Sequence, residues 1–221
     1  MAIEELAAAI PVRFLDRSGK VFYSGRNAFS SPCPIYMLGV NPGGAPDNYL
    51  EETVGIHTRS VLQEFSDDWS AYRDESWEGA VPGTYGMAPR VLHLLQRLGM
   101  SPGSVPASNL VFVRSAREAH IKRSDMATMA DACWPFHEKV IASLKPRVVL
   151  CFGQTAGKYV RGKLGANRVT GQFVEQNDRR WRSESFSGAR GPNVVVVTHP
   201  SIANWCAAAT DVTPLVQEAL Q

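Results

Sequence analysis

No apolar run in this 221-residue chain approaches the roughly 18 residues that a membrane-spanning helix needs. Its four cysteines, Cys33, Cys133, Cys151 and Cys206, are scattered, with no C-x-x-C pair and no spacing suited to zinc or an iron-sulfur cluster. Structural disulfides are therefore not expected, and a reducing cytoplasm is the default. The opening MAIEELAAAIPVRF carries Glu4 and Glu5 where an export signal wants a basic start, so an intracellular protein is expected. Among His57, His93, His120, His137 and His199 there is no H-E-x-x-H or other metal spacing, so neither metal nor cofactor is called for. No G-x-S-x-G surrounds Ser201, which leaves serine-hydrolase chemistry without its nucleophile setting. The turn Gly153-Gln-Thr-Ala-Gly-Lys158 has three residues between its glycines where a P-loop has four, and Tyr159 stands where the magnesium-binding hydroxyl would be. That excludes nucleotide hydrolysis and favours a tight turn that lets a helix pack closely on a sheet.

Charge of one sign is also scarce. A net charge of +2 does not announce a nucleic-acid binder, and the 31 residues after Arg190 contain no Lys or Arg. The basic residues are grouped instead. Arg114, Arg117, Lys122 and Arg123 fall within ten residues around His120, and Arg161, Lys163, Arg168, Arg179, Arg180, Arg182 and Arg190 form a second group. The first cluster reads equally as a solvated face or as a phosphate contact.

What is present is an alternation of short apolar runs and helical patterns in a chain of ordinary globular composition, with 44% hydrophobic and 20% charged residues. Buried strands are expected at Ile35 to Gly39, Asn109 to Val113, Arg147 to Phe152 and Asn193 to Thr198. Helices are expected over Pro89 to Met100, with Pro89 in the first turn and Gly99 at the end, and over 125 to 143, with Asp125 as candidate N-cap. Two more are expected over Thr155 to Arg161 and, interrupted at Pro214, over Ala207 to Leu220. FLDRSGKVFYSG and GQFVEQNDRRWRSESF, the latter turning at Asn177-Asp178, read as hairpins decorating the core. Residues 45 to 83 read as mixed helix and loop covering one rim. Strands of continuous apolar character between helices imply one α/β domain over 1 to 221, built on a largely parallel sheet. Ligands of such sheets bind beyond the strands' carboxyl ends, where Asn41, Arg114, Gly153 and His199 lie.

Two of these strand ends carry Leu38-Gly-Val-Asn-Pro-Gly43 and Thr198-His-Pro-Ser201. In this order and placement they resemble the two signature motifs of the uracil-DNA glycosylase superfamily. Between them, Thr84-Tyr-Gly-Met-Ala-Pro-Arg90 with its following helix, Ser108-Asn-Leu-Val-Phe-Val-Arg114 and Lys145-Pro-Arg-Val-Val-Leu-Cys-Phe-Gly153 resemble the family's intervening segments. The resemblance implies a four-stranded, largely parallel sheet flanked by helices, and a monofunctional glycosylase that removes uracil, and other deaminated or 5-substituted bases, from DNA in base excision repair.

It also implies roles. Asn41 would orient the attacking water, a position some branches fill with Asp; the amide can align water but cannot take its proton. His199 would donate a hydrogen bond to the departing base. Asn109 would read the base edge, the alternative being an Asn that satisfies backbone at a strand edge. Gly39, Val40 and Gly43 would form the pocket backbone, Gly43 standing where uracil-exclusive branches carry a bulky Tyr. Tyr85 would stack on the flipped base, with Tyr49 and Trp77 as alternatives. Pro200, Ser201, Ile202, Arg114 and Arg117 would contact DNA, single-stranded and, through Ile202 as wedge, double-stranded, with the protein acting as a monomer. The tail Ile202-Ala-Asn-Trp-Cys-Ala departs from the family in having no basic residue. That departure motivates the competing reading, a non-catalytic member that binds nucleic acid or a free base.

Overall fold

The structure, a computed structural model, describes residues 2–115 and 122–221. Six strands form one sheet: β1 (Ile35–Gly39), β2 (Ala107–Asn109), β3 (Val148–Phe152), β4 (Arg168–Val174), β5 (Arg182–Ser187) and β6 (Asn193–Val197), in the order β2-β1-β3-β6-β5-β4. The first four in that order are parallel, whereas β5 and β4 join antiparallel. The expected four-stranded sheet is thus a six-stranded mixed one. GQFVEQNDRRWRSESF does form a hairpin, but it extends the sheet instead of decorating it. The reason lies in β5, which pairs with β6 from Glu184 to Phe186 and buries Ser183 and Ser185, polar residues that do not read as a core strand, beside Phe186.

Side chains alternate across the parallel strands and supply two cores. Tyr36, Leu38, Val149, Cys151, Val194 and Val196 face Phe22, Phe112 and Phe136 on one side. Ile35, Met37, Val148, Leu150, Phe152, Val195 and Val197 face Val91, Leu94, Trp205 and Val216 on the other. Each buried side chain of this kind contributes about 1.5–3 kcal/mol, which explains why both faces of these strands are apolar.

The helices are α1 (Ile3–Ala7), α2 (Arg26–Ser30), α3 (Val54–Gln63), α4 (Ala71–Asp74), α5 (Ala88–Arg97), α6 (Arg123–Leu144), α7 (Gln154–Leu164) and α8 (Thr213–Ala219). Pro89 sits in the first turn of α5 and Gly99, at φ +67°, comes just after its end, as the sequence indicates. Asp125 lies inside the first turn of α6 rather than at its N-cap, and Pro135 lies within that helix. Pro214 starts α8 rather than interrupting it. Gly157 of α7 allows the close helix-sheet approach expected of its turn: a Cβ there would lie 2.5 Å from the Val196 side chain.

FLDRSGKVFYSG is not a hairpin. Its backbone pairs with distant chain instead, Lys20 N–H donating to Phe112 O at 3.0 Å and Tyr23 N–H to Ala107 O at 2.9 Å. The run Asn109 to Val113 is correspondingly not a strand of the sheet beyond Asn109. It continues beside the loop after β1, Leu110 N–H bonding Gly39 O and Val111 N–H bonding Val40 O, both at 2.9 Å. Among the described residues no helix is long and apolar enough to cross a membrane.

Candidate active site

The carboxyl ends of β1, β2, β3 and β6 open on one cleft of about 1130 Å³. Gly39, Val40, Asn41, Gly43, Tyr85, Asn109, Arg114, His199, Ser201 and Ile202, all singled out from sequence, line it. Pro200 does not. It is buried, and its carbonyl accepts a hydrogen bond from Arg90. Arg117 lies outside the described residues, as does His120.

Asn41 comes directly after the end of β1 and is held from behind. Its Nδ2 donates to Pro42 O and to Ser115 Oγ, each at 2.9 Å. The Pro42 carbonyl can only accept, so the NH2 must face it, and Oδ1 is the group Asn41 can offer to a water in the cleft. The surrounding loop is fixed by Arg114, which is 6% exposed. Its guanidinium donates to Gly43 O and Glu52, and to Ser18 Oγ at 3.2 Å, and lies 4.0 Å from the Tyr49 ring centroid. Arg114 therefore braces the motif loop, and its charge is committed to Glu52 instead of standing open to a phosphate. A Cβ at Gly44 would fall 2.6 Å from the Tyr49 ring, whereas one at Gly43 would meet nothing within 4 Å.

His199 lies just past the last parallel strand and is fixed on one nitrogen. Nδ1 accepts from the Ser201 backbone N–H at 3.0 Å and lies 2.8 Å from Ser201 Oγ. An acceptor Nδ1 requires the neutral tautomer with its hydrogen on Nε2. The ring packs edge-on to Phe152, centroids 6.3 Å apart, and beside Gly153, whose φ of +91° is open only to glycine. Downstream, Trp205 is fully buried and donates to Thr198 O at 3.1 Å, which makes it core. Ile202 is 54% exposed.

Asn109 ends β2 opposite Gly39 and is 6% exposed. Gly39 gives the Asn109 amide its room, because a Cβ there would collide with Asn109 Oδ1. Tyr23 lines the same cleft; burial, then Glu75, pushes its phenol well above its ordinary range, so it stays protonated. Lys20, 5% exposed, lies between Glu52 at 2.9 Å and Glu75. With Arg114 these form a cluster of two cations and two carboxylates, so the cluster itself carries no net charge. Glu75 Oε2 has no hydrogen-bond partner among the described residues. Tyr49, Trp77 and Tyr85 all line the cleft, so each of the three stacking candidates is at hand; Tyr85 is the half-exposed one. Among the other histidines, His57 and His137 are buried and His93 lies 3.6 Å from Asp211.

Sequence reasoning missed Ser115, Tyr23, Lys20, Glu75 and Trp181. Ser115 had a signal, since it adjoins Arg114 at a strand end. Tyr23 and Lys20 had none, because they precede every motif. Trp181 and Arg182 reach the lip of the cleft from the β4-β5 hairpin.

No match to the chain was found among curated proteins. Residues 34–220 match the family model described as the uracil DNA glycosylase superfamily, a membership that supports a glycosylase-type hydrolase with DNA as substrate at superfamily level. With that match spanning nearly the whole sequence and both signature loops meeting in one cleft, the chain belongs to the uracil-DNA glycosylase superfamily.

Proposed function

We propose that this protein is a monofunctional DNA glycosylase that hydrolyses the N-glycosidic bond of uracil, and of deaminated or 5-substituted relatives, as the first step of base excision repair. One observation carries the reading. Asn41 and His199 line the same cleft, the first tied so that its acceptor oxygen is available and the second tied so that Nε2 is the donor.

Breaking the C1′–N bond leaves its electron pair on the base and positive charge on the sugar. His199 Nε2–H would stabilise the departing anion, worth about 3 kcal/mol in a water-poor site. Asn41 Oδ1 would accept one hydrogen of a water and aim its oxygen at C1′. The amide takes no proton, so the water's proton leaves to solvent after attack on the sugar cation, and the chemistry is slow and dissociative. Lys20 is the one amine among the described residues lining the cleft, and it is held between Glu52 and Glu75, which supports hydrolysis without strand cleavage. Asn109 would pair with the imide edge, a pattern cytosine reverses. The open space at Gly43 supports tolerance of 5-substituents.

The test is alkali-induced cleavage of uracil-containing single- and double-stranded oligonucleotides. Cleavage at the uracil is expected, falling roughly 100-fold or more in Asn41→Ala and His199→Ala. If folded, pure protein makes no alkali-labile site in either substrate, the reading fails and binding alone is left.

A further inference from the structure

The tail after His199 brings no positive charge to the cleft, and Trp205 is locked in the core. The β4-β5 hairpin brings what the tail omits. Its turn is closed by Asn177, whose Oδ1 accepts from the backbone N–H groups of Arg179 and Arg180, at 3.1 and 3.3 Å. Arg179 then works as a strut. Its Nη2 donates to Glu175 Oε2 at 2.9 Å, its Nη1 to Ile202 O at 2.7 Å, and its guanidinium carbon lies 4.4 Å from the Trp181 ring centroid. Glu175 is 1% exposed, so the strut is anchored in the body of the protein. One guanidinium thus fixes the hairpin to the loop bearing Ile202.

The strut leaves two large apolar side chains together at the lip, Trp181 at 43% and Ile202 at 54% exposure, both lining the cleft. Open aromatic surface beside a binding cleft is the signature of a contact waiting for a partner. Arg180 and Arg182 flank Trp181, are exposed, and form no ion pair among the described residues. Asp178 is the one acid of the turn. The other side is of opposite character: residues 45 to 83 hold nine Asp and Glu against two Arg. A polyanion entering the cleft is therefore steered to the hairpin side.

We propose that the Asn177 to Arg182 arm is a DNA-gripping jaw that replaces the basic tail: Trp181 and Ile202 together fill the gap left by an extruded nucleotide, and Arg180 and Arg182 hold the flanking phosphates. The inference rests on the glycosylase reading for its ligand, DNA containing uracil. Trp181 offers a flat face to a neighbouring base, a contact that suits unpaired strands and also offsets the unstacking of a duplex. Arg179, bonded to Glu175 and to Ile202 O, is a positioning residue for both wedge side chains.

Two readouts on the 221-residue chain test the jaw. The first is single-turnover excision from matched single-stranded and duplex oligonucleotides. In Trp181→Ala the duplex rate should fall roughly tenfold further than the single-strand rate, because only the duplex has to be unstacked, and Trp181→Phe should recover most of the difference. The second is the salt dependence of binding to the uracil duplex, where Arg180→Ala with Arg182→Ala should flatten the slope of log Kd against log salt by nearly two. Equal losses on both substrates in Trp181→Ala, or an unchanged salt slope, would overturn the proposal. If the wild-type protein excises nothing, the glycosylase reading fails separately, and the jaw is judged by 2-aminopurine placed beside the uracil in duplex DNA. Enhanced fluorescence with wild type and not with Trp181→Ala upholds it; equal fluorescence sinks it. Melting curves for each variant separate these effects from loss of fold.

Discussion

Gly39→Ala is expected to disable base reading from a position that need not touch the base. The added Cβ would overlap Asn109 Oδ1 and lie 3.3 Å from Asn109 Cγ, with no other side chain or backbone atom crowding it. β1 cannot retreat, since it is hydrogen-bonded in parallel register to β2 on one side and β3 on the other. The amide must turn away instead. Two neutral hydrogen bonds to the base edge, at about 0.5–1.5 kcal/mol each, give a loss of about 1–3 kcal/mol, or roughly 5- to 150-fold in kcat/KM. Asn109→Ala should lose the same to within a few-fold. Overpacking at Gly39 should also cost about 1–3 kcal/mol of folding stability. The double variant removes the colliding atoms, so its stability should return to that of Asn109→Ala alone, a coupling of about 1–3 kcal/mol, with kcat/KM no lower than for Asn109→Ala. Single-turnover excision from single-stranded DNA and urea denaturation of the four proteins measure both quantities. Full activity in Gly39→Ala beside a crippled Asn109→Ala, or a double variant destabilised by the sum of the singles, would refute the reasoning.

The same site and core lead to three other outcomes. Ser115→Ala removes one of the two acceptors that orient the Asn41 amide, and should lower kcat roughly three- to tenfold with little change in KM, as steady-state kinetics would show. Gly43→Tyr enters open space at ordinary backbone angles, and should reduce excision of 5-substituted uracils relative to uracil by roughly tenfold in paired oligonucleotide assays; an unchanged ratio would remove the gatekeeping idea. Burial holds His57 down to about 3 and His137 to about 4, against 6.5 when unfolded, so the unfolded chain binds more protons in acid. Their contribution is whole above pH 6.5 and declines as pH falls toward 4 and 3, by about 2 kcal/mol per histidine at pH 5. Denaturation curves of wild type and His57→Phe should therefore converge or cross as pH drops, whereas parallel dependence would contradict the assignment.

The signature loops are legible because parallel strands announce themselves. Ile35 to Gly39, Val148 to Phe152 and Asn193 to Val197 are apolar on both faces, and the loop leaving the carboxyl end of each reaches the cleft. The hairpin's membership in the sheet was not, since β5 buries Ser183 and Ser185 against polar partners and alternation alone cannot tell an appended ribbon from an edge of the main sheet. Lys20 was hidden for another reason: a lone cation near the start of a chain reads as surface unless Glu52 and Glu75 are known to close over it. Arg114 reads as a phosphate contact for the same cause, its partner Glu52 being 62 residues away.

The family match begins at residue 34, yet the cleft does not respect that border. Lys20 and Tyr23 line it from upstream, on a segment whose Leu6, Phe22 and Phe29 are packed into the main core. A chain started at Pro34 would keep every signature residue and lose the cation between Glu52 and Glu75, the Tyr23 phenol of the cleft and one wall of the core. In domain dissection or gene shuffling, the smallest unit that can be exchanged for a relative's is therefore set by this charge balance, and it is larger than the stretch that sequence kinship outlines.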